Sequence, residues 1–157
     1  MSNIKCDKKT CIGCLACVYA CKDAHYNGDF VKTPSRRSYE EFKGAKETDV
    51  TNFRTKSCMH CKKAKCMEAC PADAIYRDEY DFVQINLENC INCHACEEAC
   101  PFNAIQFGEV PDMSIVADGA PLKCDGCVDR IKAGLEPACV SICPVDALSV
   151  AYTVEKQ

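Results

Sequence analysis

The sequence predicts an α+β fold built from two small, similar modules related by pseudo-two-fold symmetry, the inner module inserted into the outer. Three observations carry that expectation. Sixteen of the 17 cysteines gather into four quartets. Three quartets close on Cys-Pro and continue as Pro-x-x-Ala-Ile or its near twin. The stretch between the second and third quartets has the pattern of a short helical turn followed by a β-hairpin.

In chain order the quartets are Cys11, Cys14, Cys17 and Cys21; Cys58, Cys61, Cys66 and Cys70; Cys90, Cys93, Cys96 and Cys100; and Cys124, Cys127, Cys139 and Cys143. The last three are followed by Pro71-Ala72-Asp73-Ala74-Ile75, Pro101-Phe102-Asn103-Ala104-Ile105 and Pro144-Val145-Asp146-Ala147-Leu148. Proline suits the opening of a helical turn, where its missing N–H is not needed. Lys22-Asp23-Ala24 follows Cys21, so the first quartet lacks this element. Ala74-Ile75-Tyr76 reads as one strand, Asp78-Glu79-Tyr80-Asp81 as a polar turn and Phe82-Val83-Gln84-Ile85 as the returning strand.

Cysteine at this density signals a secreted disulfide framework or metal binding. Disulfide scaffolds seldom repeat cysteines two residues apart. Met1 to Thr10 is polar and basic with no apolar run behind it, so no leader is expected. Zinc could occupy all-cysteine quartets. The Cys-x2-Cys-x2-Cys-x3-Cys rhythm with Cys-Pro closure favours cubane iron–sulfur clusters, and four [4Fe-4S] clusters are expected.

Composition agrees with that reading. Without its cysteines, the apolar fraction falls from 48% to about 37%, lean for a globular chain. Clusters would replace the missing hydrocarbon, and the metal-free chain is expected to be largely unfolded. Loading would move the formal charge from −4 to about −12, which excludes nucleic acid as a natural partner. No stretch approaches the roughly 18 apolar residues that cross a bilayer, so no direct membrane span is expected. The seven glycines are scattered singly, so no phosphate-binding loop exists. No residue set for substrate chemistry is present.

The hairpin and its flanking quartets resemble a small bacterial ferredoxin with two clusters. In that layout three cysteines wrap one cluster while the fourth ligates the other. Cys58, Cys61 and Cys66 are then expected to share a cluster with Cys100, and Cys90, Cys93 and Cys96 one with Cys70. By the same rule Cys11, Cys14 and Cys17 take Cys143, and Cys124, Cys127 and Cys139 take Cys21. A competing sequential pairing, first quartet with second and third with fourth, needs a 36-residue separation between Cys21 and Cys58 inside one small module. Nesting divides the chain into an outer module (1–21 plus 122–157), a crossing segment (22–57), an inner module (58–106) and a return loop (107–121). The crossing segment is polar and lacks helical periodicity, so it is expected to lie across the surface as extended chain.

Three further features are more specific. They are Lys123-Cys124-Asp125-Gly126-Cys127-Val128-Asp129-Arg130 with Gly134-Leu135-Glu136-Pro137-Ala138-Cys139, the widened second quartet with His60 beside Cys61, and Arg36-Arg37-Ser38-Tyr39-Glu40. With these, nearly the whole chain resembles the iron–sulfur subunits of the dimethyl sulfoxide reductase superfamily. It is also similar to related electron-transfer subunits of formate dehydrogenases, thiosulfate reductases and carbon monoxide dehydrogenases. The resemblance implies a non-catalytic subunit of anaerobic metabolism whose sixteen quartet cysteines bind the metal. Its partners would be an external electron donor or acceptor and a large catalytic subunit carrying molybdenum- or tungsten-pterin. A free-standing polyferredoxin, or the relay of a hydrogenase or carbon monoxide dehydrogenase, is the alternative. The chain ends about fourteen residues after Cys143, so no membrane anchor is expected. A cytoplasmic location is the default, with export beside a signal-bearing partner still open.

Individual residues carry smaller expectations. Registering the repeats on their first cysteines sets Cys6 opposite Ile85, an inward strand position for a small hydrophobe. His60 and His94 stand between quartet cysteines and are expected to face solvent or bond sulfur, without ligating iron. His25 is expected at the surface. Lys5, Lys8, Lys9, Lys62, Lys63 and Lys65 read as a solvated face that offsets cluster charge, with a docking patch as the other reading.

Overall fold

Strand β1 (Asn3–Cys6) pairs antiparallel with β8 (Leu148–Ala151), joining stretches from opposite ends of the sequence. In this computed structural model the described residues are 3–26, 35–43, 51–108 and 119–151. Cys6 lies opposite Leu148 and Ile4 opposite Val150. Ile4 and Leu148 are buried and Cys6 packs half-buried beside them, so the inward face of β1 is apolar as its pattern requires.

The same arrangement recurs mid-chain. β4 (Ile75–Arg77) pairs antiparallel with β5 (Val83–Ile85), one residue along from where the alternation places the first strand. Ile75 faces Ile85 here as Leu148 faces Cys6 there. The turn is held by Asp78, whose carboxylate accepts the backbone N–H groups of Tyr80 and Phe82 at 3.0 and 2.8 Å.

The crossing segment differs from its expectation in one respect. It is extended, but β2 (Arg37–Phe42) and β3 (Asn52–Ser57) pair into a hairpin with one face buried. On the outer face Glu40 accepts from Arg54 at 2.8 Å and pairs with Lys56, while on the opposite face Tyr39 stacks on Phe53. These cross-strand pairs supply the register that a polar segment would otherwise lack. Arg37, Thr55 and Ser57 form the buried face. Residues 27–34 and 44–50 of this segment lie outside the described residues.

The return loop opens with β6 (Gln106–Phe107) and ends with β7 (Pro121–Leu122), and these two strands pair with each other. Helices are short: α2 (Lys65–Glu68), α3 (Ala95–Glu98), α4 (Val128–Lys132) and α5 (Ala138–Ser141). The exception is α1 (Ala16–His25), which runs 10 residues where the Cys-Pro element is missing. Two cores result. One gathers Ile4, Cys17, Cys58, Cys124, Cys139 and Leu148; the other gathers Ala64, Ile75, Val83, Cys96 and Ile105. Cysteine occupies core positions in both, which a lean hydrocarbon content makes necessary.

Candidate metal centres

Each quartet opens on a Cys-x-x-Cys turn whose third residue has left-handed backbone. Gly13, His60, Asn92 and Gly126 have φ of 70°, 46°, 53° and 76°. Glycine takes this conformation freely and asparagine tolerates it. At two of these positions the space is closed as well. A Cβ on Gly13 would come within 2.7 Å of the Phe53 ring, and one on Gly126 within 2.7 Å of the Phe82 ring.

The Pro-x-(Asp/Asn)-Ala element has a matching logic. Asp73, Asn103 and Asp146 take φ of 48°, 47° and 51°. That turn aims the next N–H backwards at sulfur. Ala74 donates to Cys70 Sγ at 3.3 Å, Ala104 to Cys100 Sγ at 3.4 Å and Ala147 to Cys143 Sγ at 3.2 Å. Two further N–H groups reach sulfur from the opening turns, His60 to Cys58 at 3.5 Å and Gly126 to Cys124 at 3.4 Å. Such donors stabilise a ligating thiolate and tune the metal behind it.

The quartet cysteines converge in exchanged sets. Cys58, Cys61 and Cys66 line one cavity with Cys100. Cys11, Cys14 and Cys17 line another with Cys143, beside Cys6 and Thr55. Cys90, Cys93 and Cys96 line a third with Cys70. Cys21 lies on α1, which packs against α5, and the thiols of Cys124, Cys139 and Cys127 are near enough to act on its own. Every set brings together three thiols of one quartet and one of another, with Cys6 as a fifth beside Cys11.

Burial acts strongly on these thiols. It pushes Cys127 up to about 12, and Cys139 and Cys96 up to about 11. Burial, reinforced by Cys124, raises Cys21 further. Cys11, Cys17, Cys66 and Cys124 are raised for the same first reason. These raised thiols therefore stay protonated without metal, and metal must displace their protons.

Three side chains differ from what their sequence positions suggest. His60 does not face solvent: it is fully buried, edge-on to Phe82, and its Nδ1 accepts the Val83 N–H at 2.9 Å. Burial, then the Lys123 charge, pulls its pKa down to about 3, so the ring is neutral. His25 is no bare surface residue. Its Nε2 lies 3.5 Å from Cys127 Sγ and 3.5 Å from an Asp125 carboxylate oxygen, within reach of an N–H···S contact. Arg37 is 2% exposed; its Nη1 donates to Ser57 Oγ at 3.2 Å, while Nε and Nη2 are buried without a partner among the described residues. His94 is exposed, near Glu97 and stacked on Phe107. The six lysines are exposed too.

The donor sets fit iron–sulfur clusters: four quartet thiols per set, apolar walls, backbone N–H groups aimed at sulfur, and buried N–H groups still unspent. Among proteins of known sequence, residues 50–153 match the 4Fe-4S dicluster domain family, and residues 10–74 match a second 4Fe-4S dicluster family. The sequence is 41% identical to the thiosulfate reductase electron transfer subunit PhsB of Salmonella typhi, covering 96% of this chain and 76% of that protein. It is 35% identical to the B subunit of the anaerobic dimethyl sulfoxide reductase of Escherichia coli K12, over 90% and 69% of the two proteins. It is 36% identical to the B subunit of the polysulfide reductase of Wolinella succinogenes, over 91% and 72%.

The protein belongs to the iron–sulfur subunits of the dimethyl sulfoxide reductase superfamily.

Members of this family transfer electrons and leave substrate chemistry to another subunit, and this chain is a non-catalytic electron-transfer subunit of that kind. Among the described residues no helix is long and apolar enough to cross a membrane. The family's cysteine rhythm is visible in any alignment of the quartets. The flanking residues His25 and Arg37 were not marked by spacing, because each meets sulfur or its neighbours only through the tertiary fold.

Proposed function

We propose that this subunit binds four [4Fe-4S] clusters and relays electrons between an external donor or acceptor and a large subunit carrying molybdenum- or tungsten-pterin. When bound, each cluster would take up and pass on one electron at a time. The observation that carries this reading is that Cys100 lines the cavity of Cys58, Cys61 and Cys66, Cys70 that of Cys90, Cys93 and Cys96, and Cys143 that of Cys11, Cys14 and Cys17, which supports an exchange of the last cysteine between quartets. Ligand sharing of this kind characterises two-cluster ferredoxins.

On this reading residues 58–106 form an inner ferredoxin-like module inserted into an outer one, 1–21 plus 122–157, about a pseudo-two-fold axis. The paired registers Ile75–Ile85 and Leu148–Cys6 support that relation. The protein's own groups hold the thiolates in place, donate N–H to sulfur and exclude water from the buried sets. Sixteen ligating thiols must stay reduced until metal arrives, which favours the cytoplasm. The names of similar proteins, reductases of thiosulfate, dimethyl sulfoxide and polysulfide, support a pterin-bearing partner.

The test is anaerobic isolation from the native host with bound proteins, followed by metal and acid-labile sulfide analysis. About sixteen iron per chain, with molybdenum or tungsten in a co-purifying large subunit, is expected. Iron near eight would leave half the thiol sets vacant and overturn the four-cluster count. Isolation without a large subunit would favour a free-standing polyferredoxin, and nickel in the partner a hydrogenase or carbon monoxide dehydrogenase relay.

A further inference from the structure

Arg37 is a cation with too few partners. It opens β2, opposite Ser57 of β3, and the Ser57 hydroxyl accepts from Nη1 at 3.2 Å. That bond uses one of five N–H donors. Nε and Nη2 are sealed from solvent with no acceptor among the described residues, and no described carboxylate pairs with the guanidinium. Arginine does not shed its proton when buried. A charge in this position needs negative charge nearby, and among the described residues the adjoining core holds cysteine sulfurs.

Which sulfurs it faces follows from the packing. β3 lies along the outer core: Thr55, two residues from Ser57 on the same face, meets Cys17 Sγ at 3.6 Å. Cys17 shares that core with Cys124 and Cys139. Cys96, in the set formed with Cys90, Cys93 and Cys70, belongs to the other core.

We propose that the buried guanidinium of Arg37 is a fixed counter-charge that raises the reduction potentials of the clusters held by the first and fourth quartets relative to that of the cluster held by Cys90, Cys93, Cys96 and Cys70. A cluster that gains an electron becomes more negative, and a cation held close in a low-dielectric core favours the reduced form. The unspent Nε and Nη2 protons supply hydrogen bonds toward sulfur as well. Arg37 is thus a positioning and tuning residue, one that orders the steps of the relay without ligating metal. The inference rests on the four-cluster reading; wild-type protein without iron and sulfide would sink that reading before any variant is compared.

The test uses the full-length chain purified anaerobically as wild type, Arg37→Gln and Arg37→Lys. Iron per chain is measured and each cluster is titrated by EPR, with Cys143→Ser, Cys21→Ser and Cys70→Ser assigning the signals. Arg37→Gln is expected to retain iron and shift the reduction equilibrium of the first- and fourth-quartet clusters at least tenfold toward the oxidised form. Tenfold is about 59 mV for a one-electron couple. The Cys70 cluster should stay in place, and Arg37→Lys should shift the other two by less than tenfold. Four unmoved potentials in Arg37→Gln, or four that fall together, overturn the proposal. Should Arg37→Gln fail to hold iron, Arg37→Lys decides. Wild-type iron with potentials moved less than tenfold supports the counter-charge, whereas equal loss of iron, or a full tenfold fall, overturns it.

Discussion

The carboxylate of Asp125 lies 2.7 Å from Nη1 of Arg36, an ion pair between residues 89 positions apart. Arg36 stands immediately before β2, and Asp125 sits inside the Cys124–Cys127 turn, so the pair fastens the crossing hairpin to the fourth quartet. Burial would push the Asp125 carboxyl up, but His25 and Arg36 beside it hold it below its ordinary value. The Arg36 Nε also donates to the Tyr26 hydroxyl at 3.1 Å. Arg36→Ala strands a half-buried carboxylate and should cost roughly 2 kcal/mol. Cluster loss in a denaturant series reads the effect, as a lower midpoint than wild type.

Cys143→Ser should damage the cluster associated with Cys11, Cys14 and Cys17, although nearly the whole sequence separates the two stretches. The lining of their shared cavity places them together. EPR of the reduced variant checks this. Loss confined to the cluster of Cys124, Cys127 and Cys139 would show that the fourth cysteine is not exchanged.

Gly126→Ala should be costly for two separable reasons. Its φ of 76° costs an L-residue about 1–2 kcal/mol, and the new Cβ would meet the Phe82 ring at 2.7 Å. Phe82→Leu in the same chain should recover only the steric part. A double-mutant cycle in chemical denaturation that returns simple additivity would contradict the contact.

Cluster assembly should release acid. Burial raises quartet thiols such as Cys127 and Cys139, which therefore carry protons at neutral pH that ligation must remove. Loading converts each to a thiolate, so an unbuffered reconstitution should acidify and its yield should rise with pH. A pH electrode and visible absorbance follow both. Yield that falls as pH rises through neutrality would contradict protonated donors.

Chelation of iron from the loaded protein should unfold most of it. Both cores count cysteine among their buried residues, Cys17, Cys58, Cys124 and Cys139 in one and Cys96 in the other. Without metal these leave thiol-lined hollows where packed hydrocarbon would be. Far-ultraviolet circular dichroism before and after chelation measures the loss.

The quartets, the Pro-x-(Asp/Asn)-Ala element and the Ile75–Ile85 hairpin were legible because their signals are local: spacing, a turn residue, an alternation. The left-handed turns at Asp73, Asn103 and Asp146 gave those repeats a backbone reason that residue identity already hinted at. Other features depend on partners far along the chain. His60 is buried by Phe82 and Val83, His25 finds Cys127 across 102 positions, and Arg37 is enclosed by strands that meet only in the fold. A polar crossing segment gives no periodic hint that one of its faces turns inward.

The pairing of Asn3–Cys6 with Leu148–Ala151 ties assembly to the direction of synthesis. Strand β1 must wait until residues 148–151 have been made, so the half of the molecule it belongs to closes late. Ile75 and Ile85 emerge within moments of each other and need no such delay. Cofactor insertion during translation would therefore begin in the middle of the polypeptide, and the outer thiols would stay open to oxygen longest.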